Sequence, residues 1–178
     1  MDANNTKKNF GTLRSVLWPI YSEELKQVLL TFLLLFTICS CYSILRNIKD
    51  TVILSTVGFG AEVIPFIKVW GILPGAFCAM GLYSLLANLF SREKVFYIII
   101  SMYLLYFLSF SFVLYPNNDL LTLQLVSPEY LATWPKAIRV FVNMLQQWNI
   151  SLFYIIIELW APVVLTVLFW GFVNEMTK

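Results

Sequence analysis

Four ionisable side chains stand in this sequence where apolar residues would be expected. Three of them, Arg46, Lys49 and Asp50, fall within five positions of "ILRNIKDTVIL", residues 44–54. The fourth, Glu158, sits in "IIIELWAPVVLTVLFW", near the middle of the last long apolar segment. A carboxylate at the centre of a bilayer costs roughly 2.5 to 3.5 kcal/mol on insertion scales, so it is expected to face a cavity, a cation or a hydrogen-bonding helix. On a helix Arg46 and Asp50 are four residues apart and Lys49 is three from Arg46, which puts all three on a similar face. Arg46 and Asp50 can then pair, leaving Lys49 unbalanced. A basic group at the mouth of a bundle and an acid at mid-depth suit a water-filled path for a charged solute, and unpaired cations in such a path favour anions.

Each of these groups also has a plainer reading. If the first helix starts at Gln27, Lys49 lies about 33 Å along it at 1.5 Å per residue, at the outer edge of a membrane. The triplet could then simply end the helix and snorkel to headgroups. Alternatively "TVILSTV" carries the helix on for two further turns and Lys49 lies in the bundle mouth. Glu158 could be a protonated acid satisfied by helix packing. Lys68, under two turns into its own apolar segment, is expected to snorkel. Glu62 is expected to favour a helix N-terminus through the dipole.

Other chemistry is poorly supported. The chain has no histidine, which removes the usual metal ligand and proton shuttle. Cys39, Cys41 and Cys78 are odd in number and form no C-x-x-C pair, so neither a disulfide framework nor a zinc site is indicated. No nucleophile–base constellation and no Walker A sequence is present, and the expectation is a protein that is not an enzyme and uses no cofactor or metal. A net charge of only +2 gives no basic surface for nucleic acid.

The elements that position these residues follow from composition. The chain is 60% hydrophobic and 12% charged, with a mean hydropathy of +0.77. That is the profile of a polytopic membrane protein whose partner is the lipid bilayer. A span needs about 20 apolar residues as helix. Four such segments are predicted, at about 27–54, 63–90, 95–115 and 148–174, giving an all-α membrane protein with four transmembrane helices. Residues 136–147 read as a helical lead-in to the fourth, and Gln146, Gln147 and Asn149 as either interface or cavity lining. Residues 1–26 read as a cytoplasmic N-terminal and interfacial segment anchored by Trp18 and Tyr21, not as a signal peptide. Lys7, Lys8, Arg14, Lys26, Arg92, Lys94 and Lys178 share one side under even-span parity, against Lys136 and Arg139 on the other. Both termini are therefore expected to be cytoplasmic. Gly71, Gly75 and Ala79 repeat every four residues and would let a helix approach closely. Pro65, Pro74 and Pro162 fall inside spans, where freed carbonyls need another partner.

Taken in order, "LRNIKDTVILS", "GAEVIPFIKVWGILP", "SREKVFYIIIS", "FVLYP" and "FYIIIELWAPVVLTVLFWGFVNEMTK" resemble the ATP/ADP translocases of obligate intracellular bacteria and plastids. The resemblance covers nearly the whole chain. It implies a transporter of about twelve helices in two halves, similar to the major facilitator fold, of which these are the first four. It implies ATP and ADP as substrates, exchanged by alternating access. In that family the lysine of the R-x-x-K-D motif and the glutamate of the E-L-W motif are functionally required, and they match Lys49 and Glu158; Arg46 and Asp50 accompany them in the expected substrate site. The family commonly has Gly after E-L-W, where this chain has Ala161-Pro162, so the helix is expected to bend just beyond Glu158.

The expectation is thus an ATP:ADP antiporter present as an N-terminal fragment, with the rest of the transporter chain missing, in a bacterial inner membrane. Two alternatives remain open. One is a transporter of other nucleotide specificity, including nucleotide/proton symport. The other is a truncated, non-transporting four-span interaction protein that associates through Gly71, Gly75 and Ala79.

Overall fold

The structure, a computed structural model, describes residues 25–56 and 59–176. The expected interfacial segment with Trp18 and Tyr21 lies outside the described residues. Lipid offers the backbone no hydrogen bonds, so apolar segments of this length are driven into helices that satisfy their own amides. The described elements are all helical. Helix α1 is Leu25–Ser55, α2 is Val63–Leu89 and α3 is Arg92–Leu114. Two short helices follow, α4 (Asn118–Leu121) and α5 (Pro128–Ala132). The amphipathic α6 is Lys136–Gln146, and α7, Trp148–Trp160, continues through a π-helical stretch, Ala161–Phe169, into α8, Trp170–Met176.

Among the described residues, four helices are long and apolar enough to cross a membrane: α1, α2, α3 and the Trp148–Leu165 run. With 31 residues, α1 extends about 46 Å, well beyond the ~30 Å hydrocarbon thickness. Phe77, Met80, Leu85 and Leu89 on α2, and Leu105, Leu108 and Phe112 on α3, are exposed. Large contiguous apolar exposure of this kind suits a lipid environment.

The chain falls into two compact units, Met1–Phe36 and Thr37–Lys178. In the first, the described part is the opening of α1, with Leu29, Phe32 and Phe36 exposed. In the second, α7 is the helix around which the others pack. Half of the residues in Trp148–Leu165 are buried, whereas most of α2 and α3 is not. Ile150, Phe153, Tyr154 and Ile157 of α7 meet Ile53, Val63, Ile67, Phe110, Val140 and Met144 in one cluster. Phe153 stacks on Phe110 of α3 with ring centroids 3.8 Å apart and planes at 7°. Trp160 meets Tyr103 edge-on at 5.0 Å.

The small residues of α2 give α7 its close approach. A Cβ on Gly71 would lie 2.5 Å from Ile155 Cδ1, and one on Gly75 would lie 3.1 Å from Ile155 Cγ2 and 3.3 Å from Leu159 Cδ1. The helix that uses this stripe is therefore α7.

Prolines shape the spans in a consistent way. Pro74, Pro116 and Pro162 each lack an N–H for the carbonyl four residues back and crowd it sterically. Beside each of them the helix widens to π geometry, over Lys68–Ile72, Phe110–Leu114 and Ala161–Phe169. The Tyr115 N–H donates to the Phe110 carbonyl at 2.8 Å, a five-residue step of the π type. At Pro162 the carbonyl that loses its usual donor is that of Glu158.

The connection between α3 and α6 is stitched down by the polar lead-in. Gln146 Nε2 donates to the Val126 carbonyl at 3.0 Å, and Trp148 Nε1 donates to the Leu121 carbonyl at 3.0 Å. Gln146 and Gln147 also line a cavity of about 640 Å³ with Thr122, Gln124, Arg139 and Asn143. Asn149 is fully buried.

Filling the Gly71 gap tests the α2–α7 contact. Gly71→Leu should destabilise the purified protein by about 1–3 kcal/mol, since Ile155 must leave its position. Adding Ile155→Ala should recover part of that loss, measured by thermal unfolding in detergent; strictly additive effects would place the helices apart.

A charge cluster between three helices

The inward side of α1 near its end is marked by Lys49 and Ile53, one turn apart, which are 4% and 0% exposed. Opposite them α7 presents Tyr154 and, one turn later, Glu158. Lys49 Nζ lies 3.1 Å from Glu158 Oε2, 2.8 Å from Asp50 Oδ1 and 4.1 Å above the Tyr154 ring. The other Glu158 oxygen, Oε1, lies 3.9 Å from Lys68 Nζ of α2. Two cations and two carboxylates thus meet where α1, α2 and α7 come together. At full ionisation their charges cancel.

The burial of the four is graded. The side chains of Glu158, Asp50 and Lys68 are 25%, 46% and 53% exposed, so one side of the cluster is open. It is an open face and not the apolar hollow of about 340 Å³ between α2, α3 and α7, which Gly75, Ala79, Met102, Tyr103 and Ile156 line. The lysine most withdrawn from solvent has the most partners. A buried charge costs several kcal/mol to desolvate, and only multiple well-placed partners offset that.

The expected pairing of Arg46 with Asp50 is not formed. Asp50 bonds its neighbour Lys49, and exposed Arg46 has no ion-pair partner among the described residues. The physical reason is the rotation of α1. Its buried line runs through Lys49 and Ile53, which carries Arg46 off the packed side. Lys49 is accordingly neither unbalanced nor snorkelling. The helix continues past it to Ser55, and its ammonium turns inward to Glu158. Contact with Glu158, ten residues into α7, places the two at one depth.

Sequence reasoning missed two members of the cluster. Lys68 was expected to snorkel, and its approach to Glu158 depends on the crossing of α2 with α7. Tyr154 had a usable signal: it precedes Glu158 by four residues and so shares its face. Glu62, expected to favour the α2 N-terminus, forms an exposed ion pair with Lys136 at the start of α6. Among the described residues no three His, Cys, Asp or Glu side chains converge.

Comparison with known proteins bears on what such a cluster serves. The chain is 43% identical over 172 residues to ADP,ATP carrier protein 1 of Chlamydia muridarum, covering 97% of this chain and 32% of that protein. It is 41% identical over 172 residues to ADP,ATP carrier protein 1 of Chlamydia trachomatis, covering 97% and 33%. It is 40% identical over 169 residues to ADP,ATP carrier protein 4 of Rickettsia typhi, covering 95% and 33%. The chain therefore spans about a third of the length of the curated relatives it matches. No solved structure matches it. The family model described as TLC ATP/ADP transporter matches residues 3–178, so the chain belongs to that family of membrane transporters.

Proposed function

We propose that Lys49 and Glu158 form part of the nucleotide-phosphate site of an ATP:ADP antiporter, which exchanges the two nucleotides across a bacterial inner membrane by alternating access. One observation carries this reading: a buried lysine is held at membrane depth by carboxylates on an otherwise apolar bundle, with an open side from which an anion can reach it. The relatives' names, ADP,ATP carrier proteins, supply the anion. A nucleotide phosphate competes with Glu158 and Asp50 for the Lys49 ammonium. The Lys49–Glu158 pair closes α1 onto α7 when no phosphate is present, and opening that pair is coupled to rocking of the helices. Lys49 binds phosphate, Asp50 and Tyr154 position Lys49, and Arg46, one turn earlier and exposed, adds positive charge along the approach. No bond of the nucleotide is made or broken, and the exchange follows nucleotide gradients.

The same reading places both termini in the cytoplasm. Its support is the lysine and arginine bias, together with the proximity of Arg92, at the start of α3, to Gly171 near the end of α8: a Cβ on Gly171 would lie 3.7 Å from Arg92 Nη1. The alternative of a four-span association protein loses much of its surface, because Gly71 and Gly75 are already covered by Ile155 and Leu159.

Labelled-ATP uptake by bacterial cells expressing the complete transporter tests the proposal. Lys49→Ala and Glu158→Ala should each abolish uptake while the protein still reaches the membrane; normal uptake in either variant removes that residue from the site. Tyr154→Phe keeps the ring face and should transport normally. Tyr154→Leu should lower apparent affinity about 2- to 30-fold, the equivalent of a cation–π contact worth roughly 0.5–2 kcal/mol.

A further inference from the structure

Glu158 stands between two lysines from different helices, and the mechanism so far uses one. Its oxygens are divided between them: Oε2 faces Lys49 at 3.1 Å and Oε1 faces Lys68 at 3.9 Å. The lysines differ in freedom. Lys49 is 4% exposed and is also held by Asp50 and by the Tyr154 ring. Lys68 is 53% exposed and only loosely engaged, at the outer limit of an ion pair. It rises from the π-helical stretch Lys68–Ile72, next to Pro74.

Withdrawing Lys49 has unequal consequences for its two carboxylates. Asp50, with its side chain 46% exposed, can be rehydrated where it stands. Glu158, at 25%, sits within a span and would be left facing an incoming polyphosphate of the same sign. An uncompensated carboxylate there is costly and repels the ligand. Lys68 needs to close by only about 1 Å to reach full hydrogen-bonding distance of Glu158. Its long, exposed stem allows that movement without any shift of α2.

We propose that Lys68 is the exchange counter-ion of Glu158: it takes over the carboxylate when a nucleotide phosphate draws Lys49 away, and so sets the affinity of the site for polyphosphates without touching them. This rests on the phosphate-binding role of Lys49 proposed above. Lys68 is a positioning residue acting through Glu158, and its effect must vanish when Glu158 has no charge to neutralise.

ATP binding to the purified complete transporter, measured by calorimetric titration, separates the possibilities. Lys68→Gln and Lys68→Met should each weaken binding about tenfold, within the usual coupling range for contacting charges. Lys68→Arg should stay within about threefold of the natural protein, and in a Glu158→Gln background Lys68→Gln should change binding less than about twofold. Loss of binding in Lys49→Ala with no effect of Lys68→Gln or Lys68→Met overturns this inference and leaves the phosphate site standing. A full tenfold loss persisting in the Glu158→Gln background makes Lys68 a direct phosphate ligand and overturns it as well. Failure of Glu158→Gln to bind ATP also overturns it, since a carboxylate that competes with phosphate for Lys49 cannot be required for binding. Unchanged binding in Lys49→Ala defeats the reading of the site itself, and this inference with it.

Discussion

An ammonium and a carboxylate 3.1 Å apart, on helices far separated in sequence, are the constraint around which the rest of this structure is organised. In hydrocarbon neither charge is tolerable alone, and the cost of parting them without a replacement is several kcal/mol. The pair therefore ties α1 to α7 at one height. Asp50, Lys68 and the Tyr154 ring are the secondary partners that make burial of Lys49 acceptable. The same argument explains how such a contact can be broken usefully. In the phosphate site proposed above, one anion replaces another, so the lysine is never left bare.

Packing around α7 makes the arrangement possible. Gly71 and Gly75 remove the side chains that would hold α2 away, and Ile155 and Leu159 fill the space. The opposite side of α7 is closed by aromatic rings of α3, chiefly the Phe110–Phe153 stack and the Tyr103–Trp160 edge contact. Tightly packed faces on two sides leave Glu158 little choice of direction. The proline at 162 then widens the helix one residue after the E-L-W segment, so the acid sits at the last regular turn before a π-helical stretch. Deformable backbone directly beyond a charged side chain suits the exchange of contacts proposed for Glu158.

Burial within the charge cluster is graded. Lys49 is buried, but the side chains of Asp50 and Lys68 are about half exposed, so the cluster grades from an interior charge to outer ones. Arg46 lies off the packed side of α1 and is exposed.

Much of the fold was legible in the sequence because a bilayer allows few solutions: long apolar runs become helices, and charges inside them demand an explanation. Glu158 stood out for that reason alone, and Gly71, Gly75 and Ala79 by their spacing; Lys49 stood out only as one of three charges with Arg46 and Asp50, and the family resemblance singled it out. Rotation of α1 about its axis was not legible. The helical spacing of Arg46 and Asp50 permitted a pair, but the inward line through Lys49 and Ile53 is set by what α7 offers in return. Nor could any local pattern reveal that Lys68 meets Glu158, since the distance between them is fixed by a helix crossing ninety residues apart in the chain. Composition and periodicity are local properties and determined which helices form and which residues are anomalous. Which anomalous residues meet is a matter of crossing angle and helix rotation, and only the packed tertiary structure decides those.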